Sequence, residues 1–183
     1  MPKAGGETHF ADMRGAYDAL PQAMKDRIDG LEALHSILWS RKQAGYPITE
    51  EEIDARPMAR HPLVHTHASG RKSLYIAAHA RDIVGMPREE GRALLKELME
   101  FATQPQFVFS HRWDVGDLVI WDNFSTMHRG SDYDDLHERR DMRRTTVIAW
   151  PRPPITLDPR FADQFPPLAA DAPGRPRAQP QAS

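Results

Sequence analysis

Beyond Pro105 the spacing of apolar residues in this chain changes from three or four to two, and that change most limits what the chain can fold into. Phe107-Val108-Phe109-Ser110-His111, Asp117-Leu118-Val119-Ile120-Trp121 and Arg144-Thr145-Thr146-Val147-Ile148-Ala149-Trp150 are short runs rich in β-branched and aromatic residues. Side chains of a strand point alternately to opposite faces, so a period of two predicts strands over these three runs. Gly116-Asp117 and the region from Gly130 to Glu138 supply the turns between them. Strands in a row, with helices elsewhere, predict an antiparallel β core covered by helices rather than a βαβ fold.

Upstream the patterns are mainly helical. Pro87 to Phe101 carries Leu94, Leu95, Leu98 and Met99 on one face and charges on the other, which predicts an amphipathic helix. Phe10 to Leu20 predicts a second helix, and Pro21, at a first helical position, starts a third with Met24, Ile28 and Leu31 aligned. From Arg41 to Arg60 the chain is polar, with Gly45, Pro47, Pro57 and the acidic run Glu50-Glu51-Glu52. This predicts a surface loop with little regular structure, of the kind that covers active sites. Leu63 to His67 and Ser73 to Ile76 flank Ser69-Gly70 and predict a hairpin. Residues 1–150 read as one domain. In the remaining thirty-three residues nine are proline, which predicts an extended or disordered tail over 151–183.

Composition removes several classes of function. The formal net charge is -2 with both signs interspersed, so there is no electrostatic footprint for nucleic acid or an anionic membrane. No cysteine is present, which excludes disulfides, thiolate metal sites and a cysteine nucleophile. A chain with no cysteine, no long apolar run and no apolar core after Met1 reads as soluble and cytoplasmic.

The residues that can carry chemistry lie late in the chain. His128 ends the segment Trp121-Asp122-Asn123-Phe124-Ser125-Thr126-Met127-His128, and Arg140 and Arg144 follow on what reads as the neighbouring strand. Even spacing puts Arg140 and Arg144 on one face, whereas Arg139 and Arg143 point away. If the two strands pair, an imidazole able to bind a metal meets guanidinium groups able to grip a carboxylate with two parallel hydrogen bonds. The plain alternative is a turn histidine beside a solvated, charged strand edge. His61, His65 and His67 alternate on a strand and could bind zinc, although such histidines more often pack or face solvent. Asp122 and Asn123 read as turn caps, and Trp113, Trp121 and Trp150 as packing residues.

Gly5-Gly6-Glu7-Thr8-His9-Phe10-Ala11-Asp12-Met13 opens a set of motifs that continues with His61-Pro62-Leu63-Val64 and Thr66-His67, then Gly70-Arg71-Lys72-Ser73-Leu74-Tyr75. It ends with Trp121-Asp122-Asn123, His128-Arg129-Gly130 and Arg140-Asp141-Met142-Arg143-Arg144-Thr145-Thr146. In this order, from Pro2 to Trp150, the chain resembles the Fe(II)- and 2-oxoglutarate-dependent dioxygenases of the taurine dioxygenase and 2,4-dichlorophenoxyacetate dioxygenase family. The resemblance implies a distorted double-stranded β-helix, or jelly roll. It also implies iron held by two histidines and a carboxylate, with open positions for 2-oxoglutarate and O₂. The implied reaction hydroxylates a small acidic substrate, a sulfonate or an aryloxy acid, and releases succinate and CO₂. Carried over residue by residue, His128 matches the second iron histidine, Arg140 the arginine on the far carboxylate of 2-oxoglutarate, and Thr8 a threonine that hydrogen-bonds to the same group. Arg144 matches an arginine near the acidic end of the bound ligands.

One departure stands out. The first iron histidine and the carboxylate of the family form a His-x-Asp or His-x-Glu pair ahead of the Gly-Gly-x-Thr segment, and this sequence contains no such pair. The expectation is therefore the C-terminal portion of a dioxygenase, incomplete at its N-terminus, that binds iron poorly. Open sheet edges would leave it dependent on self-association as a homo-oligomer. The rival expectation is a jelly-roll remnant or binding module without metal chemistry.

Overall fold

The computed structural model describes residues 1–147 and the backbone of 156–157. Strand β1 (Thr8–Asp12) runs through the middle of a three-stranded antiparallel sheet, between β7 (Val108–His111) and β8 (Thr126–Gly130). Its register sets Thr8 opposite His111 and Gly130, and Phe10 opposite Phe109 and His128. Thr8 and Phe10 are buried on one face, and Ala11 on the other joins the core. A helix was expected from Phe10, but the alternation of Thr8, Phe10 and their neighbours makes its first three residues, Phe10 to Asp12, the end of a strand. The helix α1 (Met13–Ala19) starts only at Met13, where the Asp12 carboxylate caps it by accepting from the N–H groups of Arg14 and Gly15, both at 3.0 Å. A Cβ on Gly15 would crowd the other oxygen of that carboxylate, Oδ2, at 2.7 Å.

Helix α2 (Gln22–Ile28) has Pro21 as its N-cap rather than its first residue. It ends before Leu31, because Gly30 takes a left-handed φ of 70° and turns the chain into β2 (Glu32–His35). A second antiparallel sheet has the order β6 (Ala80–Ile83), β2, β3 (Ala59–Pro62), β9 (Thr156–Leu157). Its last strand pairs Ala59 with Leu157 and Arg60 with Thr156, so part of the proline-rich segment joins the fold. The rest of the expected tail lies outside the described residues. The expected hairpin is present as β4 (Val64–Thr66) and β5 (Lys72–Leu74), closed through Gly70 at φ 81°. Helix α5 (Arg88–Ala102) also forms as expected, with Leu94, Leu95 and Leu98 buried against α1 and β6. Among the described residues no helix is long and apolar enough to cross a membrane.

Two expectations fail, each for a physical reason. Leu118 and Ile120 are 83% and 86% exposed and no ladder forms over 117–121, since no described strand lies alongside to receive its hydrogen bonds. The same holds for 144–147, while 148–150 lie outside the described residues. Conversely, the supposed loop from Arg41 to Arg60 contains the end of α3 (Ile37–Gln43), all of α4 (Glu50–Asp54) and the start of β3. Helix α4 has a capping box. The Thr49 hydroxyl accepts from Glu52 N–H and the Glu52 carboxylate accepts from Thr49 N–H.

Charge compensation fastens α4 to the core. Arg81 on β6 is fully buried, and it donates to Asp54 at 2.5 Å and to Glu50. Arg92 donates to Glu50 at 3.0 Å and stacks 4.3 Å from the Trp39 ring, and Arg88 donates to Asp54 at 3.1 Å. The acidic run that looked like solvated surface is thus the counter-charge of a buried guanidinium. Arg81→Met removes the one fully buried cation of this network, leaves Glu50, Asp54 and Asp82 only the more exposed Lys42, Arg88 and Arg92, and is expected to lower the unfolding free energy by roughly 3 kcal/mol in denaturant titrations. Burial opposes ionisation of Glu50, but hydrogen bonds from Arg81, Lys42 and Arg92 outweigh it and bring its pKa down to about 2. The folded state therefore favours the carboxylate, and its contribution is present above the ordinary carboxylate pKa and lost as pH falls toward about 2. Thermal midpoints followed from about pH 5 to about pH 2 should fall less steeply in Glu50→Gln than in the wild type.

Candidate active site

The site is built on the face of the β7-β1-β8 sheet that carries Thr8, Phe10 and His128, since directly opposed residues of paired strands share a side. His128 lies within β8. Its ring is 4.9 Å from Trp121 and 6.1 Å from Phe10. Partial desolvation by these rings, reinforced by the positive charge of Arg144, lowers its pKa. The imidazole is therefore neutral at neutral pH, with a lone pair to offer.

Thr8 and Arg140, 132 residues apart, meet directly. The Arg140 Nη2 donates to Thr8 Oγ1 at 3.3 Å, and Arg140 Nε donates to the Gly6 carbonyl at 2.9 Å. Gly5 and Gly6 both have φ of 74°, which a side chain disfavours. A Cβ on Gly5 would also run into the Asp132 carbonyl oxygen. The two glycines let the turn approach the 131–140 arm and present the Gly6 carbonyl to Arg140. Arg139 points elsewhere and pairs with Asp141 at 2.8 Å. The spacing argument placed Arg140 and Arg144 on a strand beside β8. No such strand forms among the described residues, and it is β1 that pairs with β8. Arg144 is near enough to act electrostatically on His128.

Trp113, expected as packing, has a polar role, because its Nε1–H donates to Thr8 Oγ1 at 2.9 Å. Only the order of the strands could have shown this, since nothing in local sequence links residues 8 and 113. Asp122 and Asn123 do cap the turn before β8. Asp122 accepts from Phe124 N–H and from the Ser125 hydroxyl, both at 2.9 Å, and Asn123 accepts from Trp121 Nε1–H at 2.9 Å.

A cleft of about 1120 Å³ has His9, Met13, Tyr75, His79 and Arg129 in its walls and also touches His128. Beside it lies a histidine cluster that sequence reasoning had grouped differently. His61 packs edge-on to His35 at 5.3 Å and against Tyr75 at 5.2 Å, whereas His65 and His67 contact each other at 4.7 Å. His67 Nε2 is 2.9 Å from the Ser73 hydroxyl. The three histidines proposed for zinc thus do not converge, and among the described residues no group of three His, Cys, Asp or Glu is placed to hold a metal ion.

Inside the cluster, His35 Nδ1 and His79 Nδ1 are 2.6 Å apart, so one ring must donate and the other accept. Burial, with His79 and His61 nearby, brings the His35 pKa down to about 3, and burial also lowers those of His61 and His79. For a group whose folded pKa lies below its unfolded value, stability is complete above the unfolded pKa, near 6.5, and declines below it. The thermal midpoint should decline from about pH 6.5 to about pH 4.5, and His35→Phe, which cannot titrate, should flatten this window specifically.

With this geometry in view, the relatives can be placed. The structure aligns with AAD-2 in complex with Mn(II) and N-oxalylglycine at a TM-score of 0.73 and 47% identity, over 78% of this chain and 57% of that one. It aligns with a taurine dioxygenase from Burkholderia xenovorans at 0.59 and 30% identity, over 72% and 42%. The fold is the jelly roll of this class of dioxygenases. The chain belongs to the taurine catabolism dioxygenase TauD, TfdA family, which it matches over residues 1–146. It is 51% identical over 150 residues to the alpha-ketoglutarate-dependent 2,4-dichlorophenoxyacetate dioxygenase of Cupriavidus pinatubonensis, covering 81% of this chain and 52% of that protein. It is 38% identical over 159 residues to the (S)-phenoxypropionate/alpha-ketoglutarate-dioxygenase of Sphingobium herbicidovorans, over 82% and 55%. The chain spans about half the length of these curated relatives.

Proposed function

We propose that these residues form the anion-binding part of the active site of a 2-oxoglutarate-dependent dioxygenase acting on a small aryloxyalkanoic acid. The observation that carries the reading is the contact of Arg140 with Thr8 and Gly6 on the same sheet face as His128. A guanidinium beside a hydroxyl suits the far carboxylate of 2-oxoglutarate. N-oxalylglycine, bound by one structural relative, is a dicarboxylate of the same shape. His128, neutral and accessible, is the imidazole this part offers to iron, and Arg144 the charge it offers to a second anionic group. The names of the curated relatives support the aryloxy acid.

The described residues do not fit an iron centre by themselves. The rings packed on His128 are Trp121 and Phe10, and neither carries a donor set for Fe(II), so no metal-dependent step follows from this structure. A cysteine-free composition supports a reducing, cytoplasmic setting, and the exposed Leu118 and Ile120 support self-association.

A chimera tests the assignment. Residues 1–147 replace the corresponding part of the Cupriavidus enzyme, and succinate release from 2-oxoglutarate is measured with 2,4-dichlorophenoxyacetate, Fe(II) and O₂. The chimera is expected to turn over, and His128→Ala and Arg140→Ala to lower kcat/KM by at least about a hundredfold, as loss of a metal or charge-paired ligand does. A folded chimera whose turnover survives both substitutions would refute the roles given to those residues.

A further inference from the structure

We infer that Trp113 is a positioning residue that fixes the direction of the Thr8 hydroxyl and so makes the Arg140 site selective for a carboxylate over a carboxamide. The inference rests on the proposed 2-oxoglutarate site and adds to it a residue that need not touch the ligand.

The argument counts hydrogen-bond capacity. A threonine hydroxyl has two acceptor lone pairs and one hydrogen to donate. Thr8 Oγ1 accepts from Trp113 Nε1–H at 2.9 Å and from Arg140 Nη2–H at 3.3 Å, which fills both lone pairs. Its one remaining capacity is to donate. Thr8 is only 7% exposed, so this single O–H is committed to whatever enters beside Arg140. Arg140 likewise only donates, and the pair therefore presents donors alone. A carboxylate, which only accepts, satisfies them, whereas a carboxamide brings two N–H donors and leaves donor against donor. Without the indole N–H, the hydroxyl could rotate and accept from an amide, and the discrimination would weaken.

Trp113 is itself held in place. Its ring stands edge-on to His111 at 4.5 Å, and His111 lies directly opposite Thr8 in the β1-β7 register. His111 Nε2 is 3.0 Å from Asp117 Oδ2, and the same oxygen accepts from Asp114 N–H at 2.9 Å, closing the turn that carries the indole. Asp117, His111 and Trp113 thus form a chain of contacts that ends on the Thr8 oxygen.

The test uses the full chain without metal and measures, by calorimetry or NMR titration, the dissociation constants of 2-oxoglutarate and of its C5 amide. The wild type is expected to prefer the diacid, and Trp113→Phe to shrink that preference about tenfold by weakening the diacid and relaxing rejection of the amide. Thr8→Val should shrink it equally, and Thr8→Ser should restore it. In the Trp113→Phe, Thr8→Val double variant the second change should add nothing, a non-additivity that a purely structural role does not produce. If Trp113→Phe fails to fold, the indole N–H resonance of Trp113 in the intact chain decides. It should shift when 2-oxoglutarate binds, and exchange faster with water in Thr8→Val. A preference unchanged by Trp113→Phe but lost in Thr8→Val, or an indole resonance indifferent to Thr8, overturns the inference and leaves the proposed function standing. No binding of 2-oxoglutarate by the wild type overturns both.

Discussion

Strand β1 is hydrogen-bonded along both edges, and most of what makes this chain a site follows from that constraint. A central strand cannot slip by one residue without moving every side chain to the other face, so its pairing with β7 and β8 fixes which residues share a side. One side carries Thr8, Phe10 and His128, and the other carries Ala11, which packs into the core with Met13 just beyond the strand. The same strand hands directly into α1 through the Asp12 cap, and α1 packs on β5 and α5. The functional face and the apolar core are therefore two sides of five residues, and a substitution that loosens one disturbs the other.

The buried charge network around Arg81 plays a complementary part further from the site. A guanidinium with no exposed surface requires opposing carboxylates, and Glu50 and Asp54 come from a helix of only five residues that could not persist alone in water. Its capping box starts the helix and the ion pairs hold it down. Polar composition between Arg41 and Arg60 suggested a surface loop with little regular structure. The structure instead has a short helix tied to β6 and α5, with Arg92 bridging from Glu50 to the face of Trp39.

Sequence patterns revealed the elements whose information is local. Helix α5 announces itself through Leu94, Leu95 and Leu98, the β4-β5 hairpin through Gly70 between two β-rich runs, and β7 through its alternation. Around the candidate site, His128, Arg140 and Arg144 stood out by residue type and spacing, whereas Thr8 was legible only through a family motif, because its meeting with Arg140 depends on how distant segments pack. Asp12 as a helix cap and Trp113 as a donor were missed for the same reason. Each is defined by a neighbour in space or by a single-residue boundary, and neither leaves a periodic trace. The run from Asp117 to Trp121 shows the converse. It has strand composition, yet composition cannot supply a partner, and without one the run stays unpaired.

Gly5 carries no functional group, yet it sets the geometry in which Arg140 meets Thr8 and Gly6. Because the Asp132 carbonyl occupies the space a side chain would need, the turn and the arm leading to Arg140 interlock, and Gly6 N–H donates to that same carbonyl at 3.3 Å. Any other residue at position 5 would wedge the arm outward and draw Arg140 away from Thr8 and Gly6. Mutational screens that randomise only charged and aromatic residues would thus overlook a position where one methyl group acts on the Arg140–Thr8 contact as a lever.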